Sequence, residues 1–250
     1  MPTTVFASSG DSVVEKSDGA FIGGNSWSGT MHGSVTTAGG SQDSTLTNYD
    51  FGIWNDRTGR GFGTLFKLNR SFFPFALAPL AGAVTSAELK IFADNLGDTG
   101  TNSSTVYAVA ATALADSTAD YGNVFSSGTT IGTLYGSTTI STVLGYHTIT
   151  LNANAISDIN TAAAGSDTLT IGLMGYYDYN NTDPSTNAQK IAIYYSEFAG
   201  GGGTGADPKL ELTLGASGYS HNVSGVASAN IAGVNGVATA NIASVNGVDT

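Results

Sequence analysis

The chain has 250 residues, with eight Lys plus Arg against nineteen Asp plus Glu, a net charge of −11 and no cysteine. That balance leaves no basic footprint for nucleic acid or an anionic membrane surface, and it excludes disulfides, cysteine-ligated zinc and thiol chemistry. Charged residues make up only 11% and glycine 34 of the 250 positions, against usual shares of about 25% and 7%. Such a composition favours short strands joined by many turns over long helices.

Residues 1–60 alternate short apolar pieces, such as Val5-Phe6, Val13-Val14 and Ala20-Phe21-Ile22, with Gly/Ser clusters. We read them as an irregular N-terminal segment of short strands, or as a docking arm. Met1-Pro2-Thr3-Thr4-Val5-Phe6 lacks the basic-then-apolar layout of a signal peptide, yet the uncharged Thr/Ser/Gly-rich composition is of an extracellular kind. Release by lysis, as for virion proteins, reconciles the two; another secretion route or a cropped chain would also do so. No run of about 18 apolar residues predicts a membrane-inserted segment.

The next domain is assigned to residues 61–215. Phe62, Thr64, Phe66 and Leu68 alternate as a strand. The stretch from Phe72 to Gly82 is apolar and interrupted by Pro74 and Pro79, which predicts an extended crossing. From Val84 to Ala93 the alternation is clear: Leu89, Ile91 and Ala93 on one side, Glu88 and Lys90 on the other. A turn cluster is expected from Asp94 to Gly100. Its Asp94 and Asp98 carry oxygens at short spacing and form a candidate structural calcium site, with a plain Asp/Asn/Gly turn as the competing reading. No other cofactor is indicated.

Thr105–Ala111 is a further strand, residues 112–143 carry no decisive pattern, and Tyr146–Leu151 is again a strand. Ala153–Ala164 is the one helix expected, with Ile156 and Ile159 on one face and Gly165 to stop it. Thr168–Gly175, Lys190–Tyr195 and Lys209–Leu214 complete the strands. Without regular strand–helix alternation, the pattern predicts an all-β fold: an antiparallel, jelly-roll-like β-sandwich with one short helix.

Residues 216–250 change character. Gly225-Val226-Ala227-Ser228-Ala229-Asn230-Ile231 recurs as Gly236-Val237-Ala238-Thr239-Ala240-Asn241-Ile242, an eleven-residue period, and Val223, Val234 and Val245 keep phase with it. An eleven-residue period fits a right-handed coiled coil. The recurring Val-Asn-Gly-Val and the poor helix formers Val and Ile favour short strand–turn units instead. The apolar residues Val223, Val226, Ile231, Val234, Val237, Ile242 and Val245 are candidate assembly contacts, because so short a repeat cannot bury its apolar face alone.

Two ends of the middle domain carry a resemblance. They are Phe66-Lys67-Leu68 with Leu80-Ala81-Gly82-Ala83-Val84-Thr85-Ser86-Ala87-Glu88-Leu89, and Tyr194-Tyr195-Ser196-Glu197-Phe198 with Gly205-Ala206-Asp207-Pro208-Lys209-Leu210-Glu211-Leu212. Together they resemble the DNRLRE-type β-sandwich domains, which are related in shape to carbohydrate-binding modules. The family's tryptophan-containing middle loop and its namesake charged motif have no counterpart here. The tail resembles Val-Asn-Gly-Val-Ala repeats that end many phage structural proteins.

Catalytic motifs are not evident. His32, His147 and His221 lie far apart, and no nucleophile, metalloprotease or phosphate-loop motif occurs. The ligand-binding candidates are Tyr176, Tyr177, Asp178, Tyr179 and Asn180, a loop whose rings and polar groups suit a sugar; tyrosines packing at an interface are the competing reading. Trp27 and Trp54 are further aromatic candidates. The resemblance and the tail imply a non-enzymatic phage virion protein at the virion surface, a capsid decoration or fibre. It would form homo-oligomers and contact other virion proteins. A carbohydrate-binding or host-attachment module on a host glycan, and a subunit of an extracellular filament, are the alternatives.

Overall fold

The computed structural model describes residues 3–7, 11–17, 41–43, 48–56, 65–99, 104–115, 118–127, 130–182, 188–195 and 206–215, and short strands at 233–234, 237–238, 244–245 and 248–249. The strands of the first segment are β1 (Thr3–Phe6), β2 (Ser12–Ser17), β3 (Ser41–Asp43) and β4 (Asn48–Asp56). Then come β5 (Leu65–Ala76), β6 (Val84–Thr99), β7 (Thr105–Ala111), a 3-10 segment at Thr118–Val124, β8 (Phe125–Ser127), β9 (Thr130–Ile131), β10 (Leu134–Thr139) and β11 (Gly145–Thr150). Helix α1 (Ala153–Gly165), β12 (Thr168–Gly175), the single turn α2 (Tyr176–Tyr179), β13 (Ala188–Tyr194) and β14 (Lys209–Leu214) complete the body. The chain is all-β with short helices, and its described strands pair antiparallel.

One hydrogen-bonded path runs β1-β14-β6-β13-β4-β5-β12-β7-β10, with β11 on β6 and β2 on β5. Two long strands make this possible. On β6, residues 84–90 pair with β14 and residues 93–99 pair with β13 along the same edge, while β11 takes the opposite edge. On β5, residues 65–69 pair with β4 and residues 71–76 with β12, while β2 takes the other edge. The strands of residues 3–56 are therefore interleaved with those of the following domain: β1 pairs with β14, and β4 lies between β13 and β5.

The sequence alternation on β6 places Ala87, Leu89, Ile91 and Ala93 in the main core. Leu89 lies between Leu210 of β14 and Ile149 of β11, so three apolar side chains form one inner row. Phe73, Val106 and Ile171 from the other end of the path join the same core. A second core lies on the opposite face of β5 and collects Leu68, Phe72, Val109, Tyr121, Val124, Phe125, Met174 and Tyr177. Both faces of β5 are thus covered, and the strand is buried continuously from Leu68 to Phe75.

Several expectations change here. The predicted crossing at Phe72–Gly82 begins as strand: β5 continues through Pro74 to Ala76. Pairing with β2 ends at Phe72, so the proline stands beyond that ladder, where its lack of an N–H is tolerated. The turn expected at Asp94–Gly100 is strand to Thr99, held by β13, with the register shifting around Leu96. The undecided stretch 112–143 supplies the 3-10 segment whose Tyr121 and Val124 close the second core. It packs closely on Gly172 of β12, where a Cβ would sit 2.7 Å from a Val124 methyl.

Helix α1 forms as expected. Asn152 caps it by accepting from the N–H groups of Asn154 and Ala155, and Ala155, Ile159, Ala162 and Ala163 are buried. Its end differs in detail: Gly165 remains helical, and Ser166 takes the left-handed conformation (φ 56°) while its N–H bonds back to the last turn.

In the tail, β15 (Gly233–Val234) pairs with β16 (Val237–Ala238), and β17 (Ser244–Val245) with β18 (Val248–Asp249). Each pair flanks an Asn-Gly, so the strand–turn reading holds for these stretches. Val234 stands opposite Val237, and Val245 opposite Val248. Val223, Val226, Ile231 and Ile242 lie outside the described residues.

Candidate functional site

The tyrosine segment follows β12, a strand paired on both edges and buried from Thr170 to Gly175. Gly175, in extended conformation, ends it, and the chain makes one helical turn. That turn carries Asp178 to Arg70 of β5. The guanidinium Nε donates to Asp178 Oδ2 at 2.7 Å and NH2 to Oδ1 at 2.8 Å, while NH1 donates to the Tyr121 carbonyl at 2.7 Å. The guanidinium carbon lies 3.9 Å from the centre of the Tyr121 ring and 4.8 Å from that of Phe125. Both charged side chains are fully shielded from solvent.

Burial, the largest single influence, opposes the charge on Arg70, but the attraction of Asp178 and Tyr121 and the hydrogen bonds to Asp178 together hold the guanidinium above its ordinary pKa. Burial likewise pushes the Tyr121 hydroxyl far up; the Arg70 charge opposes that shift and Asp178 adds to it. The forked, charge-assisted bonds offset a desolvation cost of several kcal/mol per ion.

This geometry revises the sequence-based sugar site. Tyr177 and Asp178 are buried and cannot touch a ligand. The competing reading, tyrosines as packing, describes them: Tyr177 joins the second core and meets Tyr176 edge-on at 5.4 Å. Tyr179 stacks on Tyr107 with ring centres 4.0 Å apart, which covers one of its faces. Asn180 is exposed; its Nδ2 donates to the Tyr176 carbonyl at 2.9 Å and to the Tyr107 hydroxyl at 3.3 Å. Arg70, Tyr121 and Phe125 were not singled out from the sequence. The available signal was an arginine set between Leu68 and Phe72, in a chain with only eight cationic side chains.

A second aromatic group lies on the outer face of β6. Phe92 meets Tyr146 of β11 and Tyr194 of β13 edge-on, at 5.2 Å and 5.3 Å. Next to it, Lys90 bonds Glu88 at 2.7 Å and Thr148 at 2.8 Å, and Lys209 bonds Glu211 at 3.1 Å. Lys209 also lies 4.8 Å from the centre of the Tyr146 ring. Its hydrogen bond, with the nearby charge of Lys90, holds the Glu211 carboxyl below its usual range. Tyr146 is 37% exposed, and its hydroxyl donates to the Asp207 carbonyl. A partly exposed ring beside paired charges suits a ligand with an apolar face and a hydroxyl rim. Sequence reading missed this row because its members come from three strands.

The remaining candidates do not converge. Asp94 and Asp98 are four positions apart on extended β6, about 13 Å of strand, instead of together in a turn as expected. Among the described residues no three His, Asp or Glu side chains group to hold a metal. His147 faces inward beside Ile91, and its Nε2 is buried without a hydrogen-bond partner. His32, His221 and Trp27 lie outside the described residues, as does the side chain of Trp54. No protein-family model matches the chain, and no curated protein matches it.

Proposed function

We propose that the protein is a non-enzymatic structural component of a phage particle, a capsid decoration or fibre subunit. The body, read as a jelly-roll-like sandwich, would face outward, and the tail would make assembly contacts. The observation that carries this reading is the tail: the hairpin units place valine opposite valine, and no charged residue occurs from 216 to 248. Such segments gain most from being covered by protein. The buried Arg70–Asp178 pair supports a structural role, since both groups are engaged in holding strands together.

The test is light scattering of the full chain and of residues 1–215. A closed oligomer that reverts to monomer on truncation supports the proposal. A monomeric full chain, or unchanged assembly after truncation, overturns it; an open polymer selects the filament alternative.

The second reading, a host-attachment module for glycan, draws on the row of Tyr146, Phe92 and Tyr194 in place of the tyrosine turn. Retention of the protein on host polysaccharide, lost in Tyr146→Ala, would favour it.

A further inference from the structure

Strand β1 ends the hydrogen-bonded path, and among the described residues only its edge toward β14 is paired. The Ala7 N–H donates to the Pro208 carbonyl at 2.8 Å, so Ala7 turns its backbone groups toward β14. That direction alternates along a strand. Val5 and Thr3 therefore face β14 as well, and Thr4 and Phe6 aim their N–H and C=O groups at the open edge. Both residues are exposed, Phe6 to 39% although its side chain is large and apolar. Thr3-Thr4-Val5-Phe6 carries no charge and no proline that would deter a further strand.

The face beside this edge selects the strand that completes it. Across β1, β14 and β6 the register aligns Thr4, Glu211 and Glu88 in one row, and Phe6, Lys209 and Lys90 in the next. One row is acidic and its neighbour basic. A second copy, placed antiparallel about a two-fold axis at Val5, sets Thr4 of each chain opposite Phe6 of the other. The acidic row of each chain then runs on into the basic row of its copy. A register shifted by two residues would instead bring Glu211 in line with Glu211, or Lys209 with Lys209. These charges stand three strand spacings apart, roughly 14 Å, so they choose the register and contribute little attraction. The attraction comes from the strand itself. In this register all the outward N–H and C=O groups of Thr4 and Phe6 are paired, and the two Phe6 residues become diagonal neighbours about 7–8 Å apart, within reach of aromatic rings.

We propose that β1 is a two-fold docking edge, to which β1 of a second copy adds antiparallel and joins two sheets into one. This interface is separate from the tail and does not depend on the tail-based assembly reading.

Val5 faces Val5 of the second copy in a non-hydrogen-bonded pair with Cα atoms about 4.5 Å apart, a distance that a disulfide spans. The chain has no cysteine, so the full chain with Val5→Cys reports that pair alone. Under mild oxidation it should form a dimer-mass disulfide about 10-fold faster than Thr4→Cys or Phe6→Cys, whose counterparts lie on the diagonal. Adding Thr4→Pro removes an outward N–H and leaves the β14 ladder intact, so the product should vanish with little change in melting temperature. Faster linkage through Thr4→Cys or Phe6→Cys overturns the proposal. So does a Val5→Cys yield no higher than that of Ala164→Cys, on the exposed side of α1, or a product that survives Thr4→Pro. The unmodified chain gives a second reading. Its Thr4 and Phe6 amides should exchange with deuterium several-fold more slowly at high protein concentration than at low, while Ala7, already bonded to Pro208, stays unchanged. Fast exchange of both amides at every concentration overturns the proposal as well. An assembly held by the tail alone leaves the Val5 residues apart, so the two readings fail separately.

Discussion

Arg70 and Asp178 are 108 positions apart in the chain and meet through two parallel hydrogen bonds in a site closed to solvent. The pair ties β5 to the turn that follows β12. Removing one member leaves the other charged and buried. Arg70→Met or Asp178→Ala alone should each cost about 3–5 kcal/mol, and the double change Arg70→Met with Asp178→Leu should recover a large part of that loss. Urea unfolding of the three variants gives the coupling; additive losses would show that the pair does not act as a unit.

The tyrosine turn should separate into a core residue and a surface one. Tyr177→Ala empties a position in the second core and should cost about 3–5 kcal/mol. Tyr179→Ala removes mainly the stack on Tyr107 and should cost about 1 kcal/mol. Thermal melts of both check this. Equal melting temperatures would contradict the difference in burial.

Leu89 is fully buried in the row with Leu210 and Ile149. Leu89→Ala should cost about 2–5 kcal/mol in denaturant unfolding. A loss below about 0.5 kcal/mol would mean that the inner and outer faces of β6 are reversed.

Alkali should destabilise the fold through two buried tyrosines. Burial raises the hydroxyls of Tyr121 and Tyr135 above their ordinary value of 10.0, and Tyr135 also donates to Asp158 at 2.7 Å. Unfolded, both ionise near pH 10; folded, both keep their protons. The folded state then binds more protons, so their contribution is complete below pH 10 and falls as pH rises beyond it. Unfolding midpoints across pH about 9 to 11 should show a decline that Tyr135→Phe makes shallower. An identical slope in that variant would remove Tyr135 from the account.

What the sequence made legible follows from one-sided burial. On β6 the residues from Ala87 to Ala93 alternate because one face is core and the other is not, and their faces could be assigned from periodicity. The start of β5 is legible in the alternation that reaches Leu68, but beyond it the strand is covered on both faces, so no alternation exists to read, and Pro74 signals a break that β12 overrides by pairing. At Asp94–Thr99 the turn-forming residues are overruled by the β13 ladder. Local spacing identified Tyr176 to Asn180 as a distinctive segment. The partner that defines it, Arg70, is brought there only by the register of β12 on β5. The Tyr146–Phe92–Tyr194 row likewise exists only after three strands are aligned.

The position of β14 constrains how the protein can be made. It occupies the slot between β1 and β6, with Thr3 across from Leu212 and Leu210 across from Leu89. Until residues 209–214 leave the ribosome, neither β1 nor the first half of β6 has that partner, so synthesis from the N-terminus cannot complete the sheet in chain order. A nascent chain stalled before Lys209 would present an open strand slot to any neighbouring chain, and closing it would be among the last events of folding.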